Sequence, residues 1–200
     1  LAVKALHIEA QERPVIMNRA PSLHKFNMMA FKPRIVPGQA IQVNPLIVGG
    51  YNMDFDGDTV GIHAPVTEAA RTEALEKLLP SRNLFSPASN RVMHLPSMET
   101  TLGLYLMSEP KGEPIEAVTE AEMVKAYQEK KAQVNTAFKI GGKLTCPGQA
   151  LINQVLPAKY RISGPMTKKV MTASIEAVAR GEKSTEAARV VNMLKDLGNH

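Results

Sequence analysis

Three aspartates stand at alternate positions in a short segment of this 200-residue chain, at Asp54, Asp56 and Asp58. They are three of only four aspartates, although the chain contains 19 acidic residues. Because alternate side chains of an extended or looped backbone project to the same side, the three carboxylates can converge on one point. Such a set forms an oxygen-rich site that suits Mg²⁺ and leaves coordination positions for water and phosphate. Since converging carboxylates repel one another, convergence of all three would imply a bound cation.

Two neighbouring residues support this interpretation of the segment. Gly57 allows the backbone to turn tightly between Asp56 and Asp58. Phe55, which is expected to point to the opposite side, would anchor the loop on apolar neighbours. The simpler alternative is an Asp-Gly turn whose charges are solvated, and the spacing alone leaves that alternative open.

Other metal and phosphate motifs fit the segment less well. An EF-hand loop that begins at Asp54 needs Gly at its sixth position and Glu at its twelfth, where this chain has Thr59 and Pro65. A polymerase-β-type nucleotidyltransferase pairs two glycines with a later pair of aspartates. Here Gly49 and Gly50 lie too close to Asp54 for the usual intervening helix.

A haloacid-dehalogenase-type phosphatase is a further alternative. Such an enzyme has an apolar strand that leads into an Asp-x-Asp-Gly-Thr motif. Residues 46–50 are predicted to form such a strand, and Asp54 to Gly57 fit the motif. Asp58, however, stands where the motif requires threonine.

The segment before the aspartates carries basic residues without any acidic ones. The chain has a net charge of +5, and from Arg13 to Met53 it contains five Lys or Arg residues and no acidic residue. A basic segment that leads into an acidic cluster is typical of proteins that follow the phosphates of a polyanion, although mild basicity also serves solubility. Lys25, Lys32 and Arg34 are the candidates for nucleic-acid contacts.

The composition excludes several classes of protein. A single cysteine, Cys146, excludes an intramolecular disulfide framework and a cysteine-based zinc site. No apolar run approaches the ~20 residues that cross a bilayer, so no membrane partner is expected. A hydrophobic content of 44% is that of an ordinary globular chain.

Turn residues and hydrophobic periodicity divide the chain into a first half of short strands and a second half of helices. A helix over residues 1–12 precedes short extended segments separated by Pro, Gly and Asn turns, a pattern typical of a compact, barrel-like β unit. Capping residues Thr67 and Thr119 begin two of the later helices. The predicted strands are 26–31, 34–36, 40–43, 46–50 and 59–64. The predicted helices are 67–79, 96–106, 119–133, 147–155, 166–180 and 184–197, with a linker over 108–117. The fold class is therefore predicted to be α+β.

The segment around the aspartates resembles a known family. Residues 52–58 differ at one position from the NADFDGD signature of the largest catalytic subunit of multisubunit RNA polymerases, the bacterial β′ type. Further similar stretches keep the same order from Pro14 to about Met107, and the similarity is weaker beyond. They are PVIMNRAPSLH at 14–24, AFKP at 30–33, IQVNPL at 41–46, NLFSPA at 83–88 and LGLY at 102–105, with TCPG at 145–148 and KDLG at 195–198 in the weaker part.

The resemblance implies a fold and a catalytic site. Residues 1–98 would form part of a double-psi β-barrel, and residues 99–200 a mainly helical pore and funnel region that is incomplete at its C-terminus. Asp54, Asp56 and Asp58 would bind the catalytic Mg²⁺, and a second Mg²⁺ would arrive with the nucleoside triphosphate (NTP). The reaction would be DNA-templated transfer of a nucleotide to the RNA 3′-OH. Arg19 and Asn52 would contact the sugar of the incoming nucleotide.

The resemblance also implies partners. They would be the second-largest polymerase subunit, the other subunits, the DNA template, the RNA product and NTPs, so we expect no activity from this chain alone. The implied location is the cytoplasm of a bacterium, or of an infected host cell for a bacteriophage enzyme. Two departures from the family pattern favour a divergent lineage. Met53 replaces a small alanine, which requires room for its bulk beside the metal, and Met98 stands where bacterial members have glutamine.

A hypothesis from another class is a non-catalytic barrel that serves as a nucleic-acid-binding or assembly platform. Such a platform has no need of three converging carboxylates. The intact aspartate triplet therefore favours the enzyme over the platform.

Overall fold

The computed structural model describes residues 2–96, 99–117 and 119–199. Its architecture is α+β, and the chain divides into two compact units, Leu1–His94 and Leu95–His200. Met98 ends the predicted first domain and departs from the family pattern, and it lies outside the described residues.

The first unit is built on a three-stranded antiparallel sheet. Its elements are α1 (Ala2–Glu12), β1 (Val15–Asn18), β2 (Met28–Phe31), α2 (Val48–Tyr51), β3 (Gly61–His63) and α3 (Glu68–Lys77). The strand order is β2-β1-β3, and Met17 of the central strand pairs with Met29 on one side and Ile62 on the other. A buried cluster is formed by Met17, Phe26, Met29, Ile47 and Tyr51. This core joins the sheet to α2, the helix that precedes the aspartates.

The strand predicted over residues 46–50 is wrong, because this segment is helical. Pro45–Ile47 forms a 3₁₀ turn that continues directly into α2. The side-chain oxygen of Asn44 accepts a hydrogen bond from the backbone N–H of Leu46 at 3.1 Å, and Pro45 follows as the first helical residue. An Asn cap followed by Pro starts a helix even where the following residues are apolar enough for a strand. The phosphatase alternative thereby loses the strand that it requires.

The predicted double-psi barrel stays a prediction. The described residues of the first unit place β1, β2 and β3 in one sheet. The segments 34–36 and 40–43, which were predicted to be strands, are irregular in this part of the structure.

The second unit combines five helices with a second sheet in its described residues. Its elements are α4 (Glu99–Ser108), β4 (Lys111–Glu116), α5 (Glu120–Gln128), β5 (Thr136–Ile140), β6 (Lys143–Thr145), α6 (Pro147–Val155), α7 (Lys168–Gly181) and α8 (Ser184–Gly198). The linker predicted over residues 108–117 is wrong, because β4 pairs in parallel with β5. Every residue of β4 is exposed, so its sequence carries no alternation of apolar and polar residues that would reveal a strand.

The two predicted helix caps are confirmed. The Thr67 hydroxyl accepts the backbone N–H of Ala70, and the Thr119 hydroxyl accepts that of Glu122, each at 3.2 Å. These bonds satisfy N–H groups that have no partner inside a helix. Among the described helices, none combines the length and the apolar character that crossing a bilayer requires.

Candidate metal centre

The aspartate segment begins where α2 ends. Asn52 adopts the left-handed conformation, with φ 48° and ψ 46°, and its N–H bonds the carbonyls of Val48 and Gly49. The N–H of Met53 also donates to the Val48 carbonyl at 3.2 Å. Asparagine tolerates this conformation better than most residues. The chain therefore leaves the helix abruptly and turns into the loop over residues 53–58, called the aspartate loop below.

Tyr51 fastens the start of this loop to the sheet. Its side chain is fully buried, and its hydroxyl donates to the Met17 carbonyl at 2.8 Å and accepts the Met29 N–H at 3.0 Å. Its own carbonyl accepts a hydrogen bond from the Asn27 amide at 3.0 Å. Burial raises the pKa of the Tyr51 hydroxyl to about 12, so it stays protonated and donates over the whole physiological range. Tyr51 was not among the residues predicted to act in the site.

Replacing Tyr51 with phenylalanine should destabilise the first unit by about 1–3 kcal/mol, because two buried hydrogen bonds, to the Met17 carbonyl and from the Met29 N–H, are lost. Urea denaturation of the chain, followed by a signal from the first unit, measures this change. Tyr105→Phe is the control, since it removes a partly buried hydroxyl that donates to the neighbouring Glu109 side chain. Equal stability of the two variants would contradict the anchoring role of Tyr51.

The aspartate loop folds back on itself and brings the three carboxylates together. Oxygen atoms of Asp54, Asp56 and Asp58 lie within 4.8 Å of one another, on exposed residues. The Asp58 carboxylate accepts the Asp54 N–H at 3.1 Å, and the Asp54 carboxylate accepts the Asp56 N–H at 3.4 Å. Gly57 completes the turn with φ +124°, a conformation that side chains rarely allow. The predicted convergence of the carboxylates is therefore present in the structure.

Arg19 binds one of these carboxylates from the end of β1. Its Nε and Nη2 donate to the two oxygens of Asp58 at 3.0 and 3.2 Å. Although Asp58 as a whole residue is exposed, its side chain and that of Arg19 are less than a third exposed. A two-point contact of this kind fixes the orientation of the carboxylate as well as its distance from the guanidinium. The guanidinium carries five N–H donors, and the contact with Asp58 uses two of them. The prediction from the resemblance placed Arg19 on the nucleotide sugar and did not foresee this contact.

The pKa values of Asp56 and Asp58 are shifted in opposite directions. The hydrogen bonds from Arg19 hold the pKa of Asp58 below its usual range. The neighbouring Asp54 carboxylate, through a hydrogen bond and through charge repulsion, raises the pKa of Asp56. A divalent cation would relieve that repulsion. Carboxylate oxygens are the hard ligands that Mg²⁺ prefers, and Mg²⁺ binds a few protein oxygens and keeps several waters.

The residues that accompany the three aspartates partly depart from expectation. Phe55 is 65% exposed, so its predicted role as an apolar anchor is wrong. Met53 instead packs against the buried cluster of the first unit. The core thus accommodates the large Met53 side chain, which stands where the family pattern has alanine. Asn52 is exposed at the start of the loop.

The three basic candidates lie in different surroundings. Lys25 donates to the Asn83 side chain at 3.1 Å, and its Nζ lies 5.1 Å from the centre of the Phe26 ring. Lys32 and Arg34 are exposed and line a groove of about 560 Å³ whose other walls are mainly apolar. The aspartates are not among the residues that line this groove.

The sequence is similar to parts of known transcription proteins. Residues 4–79 match the family model described as RNA polymerase Rpb1, domain 2. The DNA-directed RNA polymerase subunit β′ of Kineococcus radiotolerans is 31% identical over an alignment that covers 94% of this chain and 17% of the relative. The subunit of Hydrogenobaculum sp. is 34% identical over 94% of the chain and 13% of the relative. That of Vibrio cholerae is 37% identical over 74% of the chain and 12% of the relative. The chain thus spans less than a fifth of the length of these relatives.

Proposed function

Because the chain belongs to the β′ subunit family of DNA-directed RNA polymerases, we propose that it carries the catalytic metal site for RNA synthesis. The observation that supports this most strongly is the convergence of three carboxylates within 4.8 Å of one another in the aspartate loop. The loop lies inside the segment that matches the family model. The first unit would then be part of a double-psi barrel, and the second unit part of the pore and funnel region.

Asp54, Asp56 and Asp58 would hold Mg²⁺ in this site. When bound, Mg²⁺ would supply Lewis-acid stabilisation of the charge that develops as the RNA 3′-OH attacks the α-phosphate of the nucleoside triphosphate and pyrophosphate leaves, and a second Mg²⁺ would accompany the triphosphate. The protein's contribution is positioning and electrostatics. Arg19 keeps Asp58 ionised and fixes the direction of its oxygens, while the hydrogen bonds within the loop orient Asp54.

The partners in this proposal are the second-largest subunit, the remaining subunits, the DNA template and the RNA product, in the cytoplasm. The 200-residue chain contains the carboxylates but spans only a small part of its relatives. We therefore expect the chain to act within the assembled polymerase and to be inactive alone. Removing the Asp56 carboxylate from the assembled polymerase tests the proposal, because nucleotide addition depends on the metal.

Arg19 and Asn52 are proposed to contact the sugar of the incoming nucleotide. Asn52 is exposed where the loop begins, and the guanidinium of Arg19 retains N–H donors beyond the two that bind Asp58. A guanidinium and an amide can both satisfy a ribose 2′-OH, which a deoxyribose lacks. The preference for ribose would therefore depend on these two side chains.

Replacing Arg19 with alanine should lower the preference for NTPs over deoxynucleoside triphosphates by about tenfold, the effect of one lost charged hydrogen bond. The ratio of kcat/KM for the two substrates measures this preference separately from any general loss of rate through Asp58. Arg82→Ala, an exposed arginine of the same unit, should leave the ratio unchanged. An unchanged ratio in the Arg19 variant would limit Arg19 to holding Asp58.

A further inference from the structure

A buried asparagine, Asn27, connects the two segments that form the candidate metal centre. Asn27 is 1% exposed and lies between the end of β1 and the end of α2. Its backbone carbonyl accepts the Arg19 N–H at 3.1 Å, and its side-chain amide donates to the Tyr51 carbonyl at 3.0 Å. Asn27 therefore contacts the backbone of Arg19 and that of Tyr51, which lies two residues before the aspartate loop.

Hydrogen bonds with the backbone of His24 hold Asn27 itself in place. Its side-chain oxygen accepts the backbone N–H of His24 at 3.2 Å, and its backbone N–H donates to the His24 carbonyl at 3.0 Å. The backbone N–H and C=O and both polar atoms of the side chain thus have partners. A buried residue with all its polar groups bonded has one stable orientation, because any rotation would leave a polar atom without a partner.

The geometry makes Asn27 a link between Arg19 and the carboxylates. Arg19 holds Asp58 through its guanidinium, and the Tyr51 carbonyl lies only three residues before Asp54 in the chain. The Asn27 amide is therefore one of the contacts that set the distance between the Arg19 backbone and the start of the aspartate loop, beside the bonds of the Tyr51 hydroxyl to the sheet. Loss of the amide would leave the Tyr51 carbonyl without this donor and allow the two segments to separate.

We propose that Asn27 is a positioning residue that arranges the aspartate loop for a divalent cation before the cation binds. The inference rests on the proposed function, since it concerns the same metal site. Asn27 acts through Arg19 and Tyr51 and touches neither the carboxylates nor a substrate. A site whose ligands are already in place binds its ion without first ordering them, so the amide raises the affinity for the cation.

The test is the affinity of the assembled polymerase for Mn²⁺ in the absence of nucleotides, measured by electron paramagnetic resonance of the free ion. Asn27→Ala should raise the dissociation constant of the site about tenfold, the usual effect of losing a group that orients metal ligands. In the metal-free enzyme, amide hydrogen exchange in the aspartate loop should also become about tenfold faster. Where Asn27→Ala does not assemble, Asn27→Ser supplies the same comparison, because its hydroxyl is too short to replace the amide.

Val92→Ala is the matched control, because it removes buried volume from the same unit at a residue outside the buried cluster that contains Tyr51. Its Mn²⁺ affinity and loop exchange should match those of the unaltered enzyme. Unchanged affinity and exchange in the Asn27 variants would overturn the positioning role. If Asp56→Ala also bound Mn²⁺ as tightly as the unaltered enzyme, the metal site itself would be wrong. A loss of binding in Asp56→Ala alone would reject only the role of Asn27.

Discussion

Replacing Asp56 with alanine in the assembled polymerase should lower the rate of nucleotide addition by about 10³-fold or more while the subunits still assemble. The carboxylate is one of three that would hold the ion, and metal stabilisation of the developing charge is among the largest contributions to phosphoryl transfer. Assembly should survive because Asp56 is exposed, and its bond to Asp54 uses the backbone N–H, which alanine retains. RNA extension on a fixed template measures the rate, and gel filtration measures assembly.

Glu76→Ala is the control for this experiment. Glu76 is an exposed carboxylate of α3 in the same unit, so its loss changes the net charge by the same amount without touching the candidate site. Its rate should match that of the unaltered enzyme. Near-normal extension by the Asp56 variant would reject the metal assignment and favour a non-catalytic platform. Loss of extension in both variants would mean that extension depends on the net charge of the unit and not on the three converging carboxylates.

Gly57→Ala should reduce nucleotide addition by about 10- to 100-fold. Gly57 has φ +124°, and a Cβ built at this position meets no atom within 4 Å. The cost is therefore backbone strain and not a clash, and strain of this kind is about 1–3 kcal/mol. The loop would relieve it by changing conformation between Asp56 and Asp58, which separates two of the converging carboxylates. Raising the Mg²⁺ concentration should recover part of the lost rate.

Gly38→Ala is a closely matched control. Gly38 belongs to the same unit, has φ +114°, and also offers open space for a Cβ. The substitution therefore imposes similar strain away from the carboxylates. Its rate of nucleotide addition should stay within a few-fold of normal at every Mg²⁺ concentration. Equal losses in the two glycine variants would show that strain acts through the stability of the unit and not through the geometry of the loop.

Several features of this protein follow from short stretches of its chain. The alternate spacing of Asp54, Asp56 and Asp58, with Gly57 between the last two, indicates converging carboxylates. The caps at Thr67 and Thr119 predict where two helices begin. Each of these depends on bonds or directions that span only a few residues, so a single sequence contains the necessary information.

The secondary structure of two other segments cannot be predicted from their own residues, because those residues permit more than one conformation. Residues 46–50 have the apolar character of a strand, yet the Asn44 cap and the core position of Ile47 and Tyr51 make the segment helical. Strand β4 looks like a linker because it is exposed throughout and gains its structure from pairing with β5. In both cases a contact outside the segment decides between two conformations that its residues permit.

The sequence by itself determined which three carboxylates can converge in the candidate metal centre and where the tight turn between them lies. Only the tertiary structure decided how those ligands are held. Arg19 meets Asp58 across 39 residues, and the Asn27 amide meets the Tyr51 carbonyl across 24. The packing of Tyr51 among Met17, Met29 and their neighbours places these partners side by side. Such contacts cannot be predicted from residue types and their spacing along the chain. They depend on how the sheet and α2 pack into one buried core.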